Sequence, residues 1–362
     1  MNSALKDNCI VGDDVFVGMG SNITNNLKND CTTVNSSTKI YESDTKVNRL
    51  LKKNFWSLIM IDFKNNSWEK LGKILSPNKN FSWSKSHMSL PTPLIFKDFV
   101  RIYFGSRDVK NRSRISFVDY DPEKNKIIYR HKKPVIELGE LGTFDDNGMM
   151  PCSLIRQGKS LLLYYAGWNP RSTVRFSFYS GLAISQDNGF TFKRYSRAPI
   201  IERTNLEPYV NASPMVIKTK NNYIMYYVSG EGWINPDLPR YNIKIAISKN
   251  GKEWSRLNKA AIDFKNNKEN ALARPCVMQI DNKYFMWFSK KGKNYRTGFA
   301  HSKDGIHWKR NDLLVDLDVG KSSFDNKMIC YPYVFSFKKN FYCIYNGNNY
   351  GDSGIGMAIL KK

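Results

Sequence analysis

A segment of about 18 residues recurs five times along the chain, about 60 residues apart, and it limits the fold more than any other feature. Each copy has a proline, an apolar stretch, a short polar turn and a strand rich in aromatic residues. Two apolar runs around a polar turn predict a β-hairpin in every copy. The repeated prolines are Pro93, Pro151, Pro214, Pro275 and Pro332.

A third strand follows each hairpin, and three of these strands run into a turn of one pattern. The turns read SQDNGFTF (185–192), SKNGKEW (248–254) and SKDGIHW (302–308). Asp or Asn beside Gly supplies the positive φ of a tight hairpin turn. A fourth strand then follows the turn. Four strands per repeated unit predict the blades of a β-propeller.

The fifth unit ends after three strands, and the segment WEKLGKIL (68–75) matches the missing fourth strand. We therefore predict that residues 68–75 pair with residues 354–360 and close a ring of five blades. Closure removes the exposed strand edges that an open array would have. The predicted fold class is all-β, a five-bladed β-propeller with a short N-terminal left-handed β-helix fragment.

The N-terminal fragment is predicted from aliphatic residues at every sixth position, namely Leu5, Val11, Val17 and Ile23. This stretch resembles the hexapeptide-repeat sugar acyltransferases, and the resemblance implies a left-handed β-helix. Those enzymes use a histidine, which residues 1–50 lack, and about two coils cannot bury a core alone. We interpret the piece as a remnant, a cap or a docking element. The predicted domains are 1–41 for this fragment, 42–55 for a linker and 56–362 for the propeller.

The charge and the cysteines limit the partners and the compartment. The net charge of +24 suits nucleic acid, a membrane surface or an anionic sugar. The basic residues form no stripe and accompany no nucleic-acid motif, so we predict no nucleic-acid partner. The sequence has no run of 18 apolar residues and no signal peptide, so we predict no transmembrane segment. Six cysteines without a CxxC pair favour free thiols and a cytoplasmic protein.

Cofactor signals are missing from the sequence. The four histidines do not share metal-ligand spacing on one element. The chain has no phosphate loop and no dinucleotide fingerprint. We therefore predict neither a metal nor a cofactor, and the sequence leaves the oligomeric state open.

Candidate binding residues follow from the topology of a propeller. Residues before each inner strand and residues that end each second strand meet at one rim of the channel. Amides and carboxylates bind sugar hydroxyls, aromatic faces stack on sugar C–H groups, and arginines bind an acidic sugar or a phosphate. For Asp145 and Asp325 the alternative of a structural turn stays open. The predicted substrate-binding residues are His87, Arg107, Asp108, Asp145, Trp168, Asn211, Trp233, Arg274, Asp325, Tyr331 and Asn346.

Residues 56–362 resemble the five-bladed propeller glycosidases, namely the arabinanase/β-xylosidase, invertase and mannoside phosphorylase families. The likeness is in the blade spacing, in turns such as SKDGIHW and in strand ends such as YYAGW and IYNGN. It implies hydrolysis by two carboxylates that flank the bond and a third that tunes them. This chain has no acid at the matching places beside the repeated prolines of the first three blades. The catalytic candidates are therefore acids displaced along the loops: Asp146, Glu207 and Glu231.

Three functions follow as hypotheses. The first is a glycoside hydrolase-like enzyme that acts on a glycan or sugar conjugate, acidic ones included. The second is a catalytically silent glycan-binding propeller in surface-polysaccharide biosynthesis, a setting that the acyltransferase-like fragment favours. The third is a protein-interaction scaffold. The polar and charged residues of a single rim favour the first two, and the missing family carboxylates favour the last two.

Overall fold

The computed structural model describes residues 67–361 and, within residues 1–66, five short strands. The chain divides into two compact units, Met1–Asp62 and Phe63–Lys362. The strands of the first unit are β1 (Ala4–Leu5), β2 (Phe16–Val17), β3 (Asn22–Ile23), β4 (Thr32–Val34) and β5 (Lys39–Tyr41).

Pairing in the first unit is mostly parallel. Strand β1 pairs with β3, and β2 pairs with β4, both in parallel, whereas β4 and β5 are antiparallel. Leu5 lies opposite Ile23, the fourth member of the predicted six-residue series. The side chains of residues 1–41 and the predicted linker 42–55 lie outside the described residues. The β-helix fragment and the domain boundaries therefore stay predictions.

The second unit contains twenty strands in five antiparallel sets of four, and single parallel residue pairs link the second, third and fourth sets into one twelve-stranded sheet. The sets are β7–β10, β11–β14, β15–β18, β19–β22, and β23–β25 together with β6. The strands are β6 (Ser67–Leu75), β7 (Ser86–Ile95), β8 (Val100–Arg107), β9 (Ser113–Asp121), β10 (Lys126–Arg130), β11 (Met149–Gln157), β12 (Ser160–Pro170), β13 (Phe176–Ser185), β14 (Lys193–Arg194), β15 (Asn211–Lys218), β16 (Tyr223–Asn235), β17 (Leu238–Ser248), β18 (Ser255–Ile262), β19 (Ala271–Ile280), β20 (Lys283–Lys291), β21 (Tyr295–Ser302), β22 (Trp308–Arg310), β23 (Cys330–Phe337), β24 (Asn340–Asn346) and β25 (Ile355–Lys361).

Helix is confined to two short 3₁₀ segments within the described residues, Asp312–Leu314 and Asn348–Gly351. The predicted all-β class is confirmed. No helix in this part of the chain has the length and hydrophobicity needed to cross a bilayer.

The last set is completed from the other end of the unit. Strand β6 pairs antiparallel with β25, with Trp68 opposite Leu360 and Leu75 opposite Ile355. This is the pairing predicted from the three-stranded fifth repeat. It gives β25 a partner on both sides, so the outer edge of the third strand is covered as in the other sets.

Apolar side chains fill the space between neighbouring sets. Ile102 of the first set packs in one fully buried cluster with Ile344 and Met357 of the fifth set. Ile245 of the third set packs in another with Met286 of the fourth. Full burial of such a side chain contributes about 1.5–3 kcal/mol. These interfaces between sets therefore form the core of the unit.

The three predicted tight turns link each set to the one before it. Gly189 has φ +86°, and its carbonyl oxygen accepts a hydrogen bond from Tyr103 of the preceding set at 2.8 Å. A Cβ atom here would lie 2.1 Å from the Tyr103 hydroxyl, so both the backbone and the contact require glycine. The same bond joins Tyr164 to Gly251 and Tyr226 to Gly305.

Candidate functional site

The first strand of every set carries a register shift beside its repeated proline. In four sets the residue before a proline has left-handed φ: Leu90 (52°), Ser213 (51°), Arg274 (53°) and Tyr331 (56°). This conformation costs about 1–2 kcal/mol for a residue with a side chain, and a following proline normally favours extended backbone. Bulges and strain of this kind cluster at functional sites. The four residues therefore mark this level of the inner strands as a candidate functional site.

A pocket of about 450 Å³ opens at this level. All five first strands, or the residues just before them, contribute to its lining, through Leu90, Met150, Ser213, Ala273 and Tyr331. The pocket is therefore placed where the five sets converge. A volume of this size is sufficient for a sugar of one or two rings.

Aromatic side chains form much of the pocket wall. Trp168, Phe176 and Phe178 come from strands β12 and β13, and the rings of Phe176 and Phe178 stack with centroids 4.2 Å apart. On another side, the hydroxyl groups of Tyr241 and Tyr295 are 2.6 Å apart. Flat aromatic faces beside hydroxyl groups suit the alternating C–H and O–H surfaces of a sugar ring.

Positive charge dominates the ionisable groups of the lining. Arg107, Lys110, Arg175 and Lys291 line the pocket, and Asp237 is the one carboxylate of the lining. Lys291 lies 3.3 Å from the hydroxyl of Tyr350. The pocket therefore presents four cations and a single anion to a ligand.

Burial lowers the pKa of Arg107, and the neighbouring cation Arg175 acts in the same direction, although Tyr331 and Asp352 oppose them. One guanidinium nitrogen of Arg107 donates to Asn111 at 3.1 Å, while its buried Nε atom has no hydrogen-bond partner. The guanidinium lies 6.0 Å from the ring centroid of Trp168. An arginine and a tryptophan thus stand side by side in the wall.

Two curated sequences cover most of the chain. Both are from Mycobacterium tuberculosis, the uncharacterized proteins MT1551 (strain CDC 1551) and Rv1502 (strain H37Rv). Each is 37% identical to this chain over 298 residues, which are 82% of this chain and 99% of the relative. The chain belongs to the family of these two proteins. No protein-family model matches it.

Solved structures of glycoside hydrolases share the fold at low sequence identity. The BT0996 RGII complex superposes with a TM-score of 0.67 at 17% identity, over 85% of this chain and 95% of that one. A protein of the GH130 family of mannoside phosphorylases, which contains hydrolases that target β-1,2 mannosidic linkages in Candida mannan, gives 0.63 at 13%, over 81% and 93%. A thermostable family-43 glycoside hydrolase gives 0.58 at 15%, over 79% and 92%. The second unit therefore has a β-propeller type of fold, in which a set of four strands is a blade.

Three of the predicted binding residues line the pocket: Arg107, Trp168 and Tyr331. Two others lie close to its edge. The ring of Trp233 is 5.3 Å from Phe176, and the charge of Arg107 acts on His87, which also lies 3.7 Å from the carboxylate of Asp352. Burial and the nearby Arg107 lower the pKa of His87 to about 4, although Asp352 opposes them.

Three of the predicted acids occupy one repeated position inside the blades, and none of them lines the pocket. Each buried carboxylate accepts from a tyrosine of the second strand and pairs with a cation of the fourth strand. Asp145, at 2.9 Å from Tyr165 and 2.8 Å from Arg194, is the example from the second blade. The equivalent groups are Glu207 with Tyr227 and Arg256, and Asp325 with Tyr345 and Lys70.

The other predicted acids are also held by neighbours. Asp146 accepts from the side chain of Asn169 at 2.5 Å and from the backbone of Gly142. Glu231 lies on the surface and pairs with Lys244 at 2.9 Å. Asp108 is buried and pairs with two arginines, Arg112 and Arg114, each at 2.9 Å. None of these three acids lines the pocket.

Arg274 is fully buried at the next level along the strands, beyond the lining. Its guanidinium donates to the backbone of Cys152 at 2.5 Å, to Pro91 at 3.1 Å and to the Thr92 hydroxyl at 2.7 Å. It also lies 5.2 Å from the ring centroid of Tyr333. Arg274 therefore connects the inner strands of four blades beneath the pocket floor.

Two predicted amides are buried and serve the backbone. Asn346 accepts from the Leu90 amide at 2.9 Å and donates to the carbonyl groups of Met88 and Gly354. Asn211 donates to the Glu202 carbonyl at 3.2 Å. Neither residue lines the pocket.

The sequence reasoning missed several residues of the lining, including Lys110, Arg175, Asp237, Tyr241 and Lys291. Lys110, Arg175 and Asp237 lie in the segments that join the second and third strands of a blade. Lys291 is the last residue of a second strand. Tyr241 is on a third strand, which the topological argument did not consider. No group of three or more metal-ligating side chains occurs in residues 67–361.

Proposed function

We propose that this chain is a five-bladed, ring-closed β-propeller that binds carbohydrate in its central pocket. The observation that carries the proposal is the pocket itself, since aromatic faces and polar groups converge where all five inner strands meet. The glycosidase-type fold supports the same ligand class. In a cytoplasmic setting of polysaccharide biosynthesis, which the sequence predicts, the ligand is a glycan or a sugar conjugate.

The blade number and the domain boundaries belong to this proposal. Five sets of four strands and the pairing of β6 with β25 support a closed five-bladed ring over residues 56–362. Parallel pairing of Leu5 with Ile23 supports the hexapeptide fragment at 1–41, because three six-residue repeats separate these two positions. The M. tuberculosis relatives are matched over 99% of their length by 298 residues, so they have no counterpart of the rest of this chain.

Binding without hydrolysis is the form of the proposal that the pocket favours. The usual mechanism of glycoside hydrolysis uses two carboxyl groups about 5–9.5 Å apart at the scissile bond. The lining contains a single carboxylate, Asp237, and the candidates Asp146, Glu207 and Glu231 are engaged outside it. We therefore infer a glycan-binding propeller, with the hydrolase as the alternative that activity measurements decide.

The test is binding of the full chain to a glycan array, followed by Trp168→Ala. We expect glycan binding by the parent chain and at least about tenfold weaker binding by the variant, because stacking on an indole face dominates sugar contacts. Tyr195→Ala is the matched control, since Tyr195 is an exposed aromatic residue outside the lining. Equal binding by the parent and Trp168→Ala would place the sugar site elsewhere.

A further inference from the structure

We infer that the pocket selects glycans that carry a negative charge, with the charged group held at Arg107. This rests on the proposed function and names the ligand class of the same site. The lining has four cations to one carboxylate, whereas the whole chain has 56 basic to 32 acidic residues. The excess of positive charge in the pocket is therefore larger than the basic composition alone supplies.

Arg107 differs from five other arginines of the blades. The fold neutralises those arginines with carboxylates at hydrogen-bond distance. Arg107 has an amide as its one hydrogen-bonded side-chain partner, and the nearby carboxylate of Asp352 acts on its charge without a hydrogen bond to it. The neutralised pairs are Arg101–Asp119, Arg114–Asp108, Arg194–Asp145, Arg256–Glu207 and Arg310–Glu269.

A charge that is taken out of water without a partner is costly, and a ligand anion removes that cost. The Nε atom of Arg107 is buried without a partner, so the terminal guanidinium nitrogens are the ones that a ligand in the pocket can reach. A guanidinium can bind two oxygens of a carboxylate or phosphate side by side. Trp168, 6.0 Å from the guanidinium, is placed to contact the sugar ring that bears the anion.

The other cations of the lining form no ion pair with a carboxylate of residues 67–361. Arg175 is exposed, and the hydrogen bond it makes is from its backbone to the Pro236 carbonyl. Lys291 contacts Tyr350 and lies 5.6 Å from the ring centroid of Tyr295. Arg274, beneath the floor, adds a buried charge that only carbonyl and hydroxyl oxygens bind. The field at the pocket therefore favours an anion.

The shared chemistry is an oxyanion on a sugar, which is either the carboxylate of a uronic acid or a phosphate ester. Two matched probe sets separate these sources. One set pairs uronate-containing oligosaccharides with their carboxyl-reduced neutral counterparts. The other pairs sugar phosphates and phosphorylated oligosaccharides with the same sugars after phosphatase treatment.

Titration calorimetry of the full chain with both sets tests the inference. We expect at least about tenfold tighter binding of the anionic member of one set, with affinity that falls as salt is raised. Arg107→Gln and Arg175→Gln should each reduce this preference. Lys309→Gln, which removes one exposed charge from strand β22, is the matched control and should retain it.

Each failure has a separate meaning. Equal affinity for charged and neutral members overturns the anion inference and leaves the sugar-binding proposal standing. A preference that persists in both arginine variants overturns the placement of the charged group at Arg107. Absence of binding by every member, charged and neutral, overturns the sugar-binding proposal itself. Thermal unfolding of each variant verifies that the fold is kept, and Arg175→Gln maintains the test if Arg107→Gln does not fold.

Discussion

The ammonium group of Lys70 lies 2.6 Å from the carboxylate of Asp325, across 255 residues of the chain. The same carboxylate accepts a hydrogen bond from Tyr345. This is the acid, tyrosine and base arrangement that the second and third blades build from Asp145 and Glu207. Strand β6 therefore supplies to the last blade the cation that a fourth strand supplies in the second and third blades.

Replacing Lys70 with methionine should destabilise the unit strongly. The Asp325 carboxylate is 4% exposed, and loss of its cation leaves a buried charge with the Tyr345 hydroxyl and no counter-charge. Such a loss costs about 3–5 kcal/mol, and we expect the lower end because Lys70 is itself 24% exposed. Urea unfolding measures the change. Lys73→Met on the exposed side of the same strand is the control and should differ little from the parent. Equal stabilities of the two variants would contradict the structural role of the pair.

Arg274 should act on the fold before it acts on a ligand. Its guanidinium binds three oxygens from two other blades, and an ammonium group cannot reproduce this planar fork. Both Arg274→Lys and Arg274→Met should lower the free energy of unfolding by more than about 2 kcal/mol. A variant that keeps the parent stability and loses glycan binding would instead assign Arg274 to the ligand, as the sequence prediction had it.

Acid should weaken the fold through His87. Its pKa is about 4 in the folded protein, because burial and Arg107 disfavour the imidazolium ion, against an ordinary value of 6.5. A base whose pKa is depressed by folding contributes stability that is fully present above the unfolded pKa. That contribution falls as the pH decreases from about 6.5 to about 4, by an amount on the order of 1–3 kcal/mol.

The measurement compares unfolding free energies of the parent and His87→Asn between pH 7 and pH 4. The variant should lose part of the parent's acid sensitivity in this window. Nuclear magnetic resonance titration of the His87 ring provides the direct pKa. A ring that titrates near 6.5 would contradict the burial that the structure assigns to it.

The three catalytic candidates should be dispensable for glycan binding. Asp146→Asn and Glu231→Gln alter groups that contact Asn169 and Lys244 outside the lining, so the affinity of the folded variants should stay within about twofold of the parent. Glu207→Gln should cost stability, because it leaves Arg256 without its anion. Parent turnover of any glycoside that Asp146→Asn or Glu231→Gln abolishes would restore the hydrolase alternative.

The repeat made the strand sets predictable, because hairpin, turn and proline recur in every copy. Gly189 and its equivalents could be placed for the same reason. The roles of the acids could not be predicted in this way. Asp145 and Glu207 find their tyrosine 20 residues later and their arginine 49 residues later, and only the pairing of strands within a blade brings those side chains to one point.

The pocket was predictable as a location and only partly as a set of residues. Arg107, Trp168 and Tyr331 end or begin strands at the rim, so topology located them. Lys291 lines the pocket, whereas its neighbour Lys290 pairs with Asp312, because successive residues of a strand point to opposite faces. Which of the two faces the pocket depends on a register that the sequence alone does not determine.

The most direct test of the account is a crystal structure of the full chain with the tightest-binding glycan of the array. We predict electron density for a sugar ring against Trp168, with its charged group within hydrogen-bond distance of Arg107. Density for the glycan at any site outside this pocket, with the pocket filled only by solvent, would contradict the account.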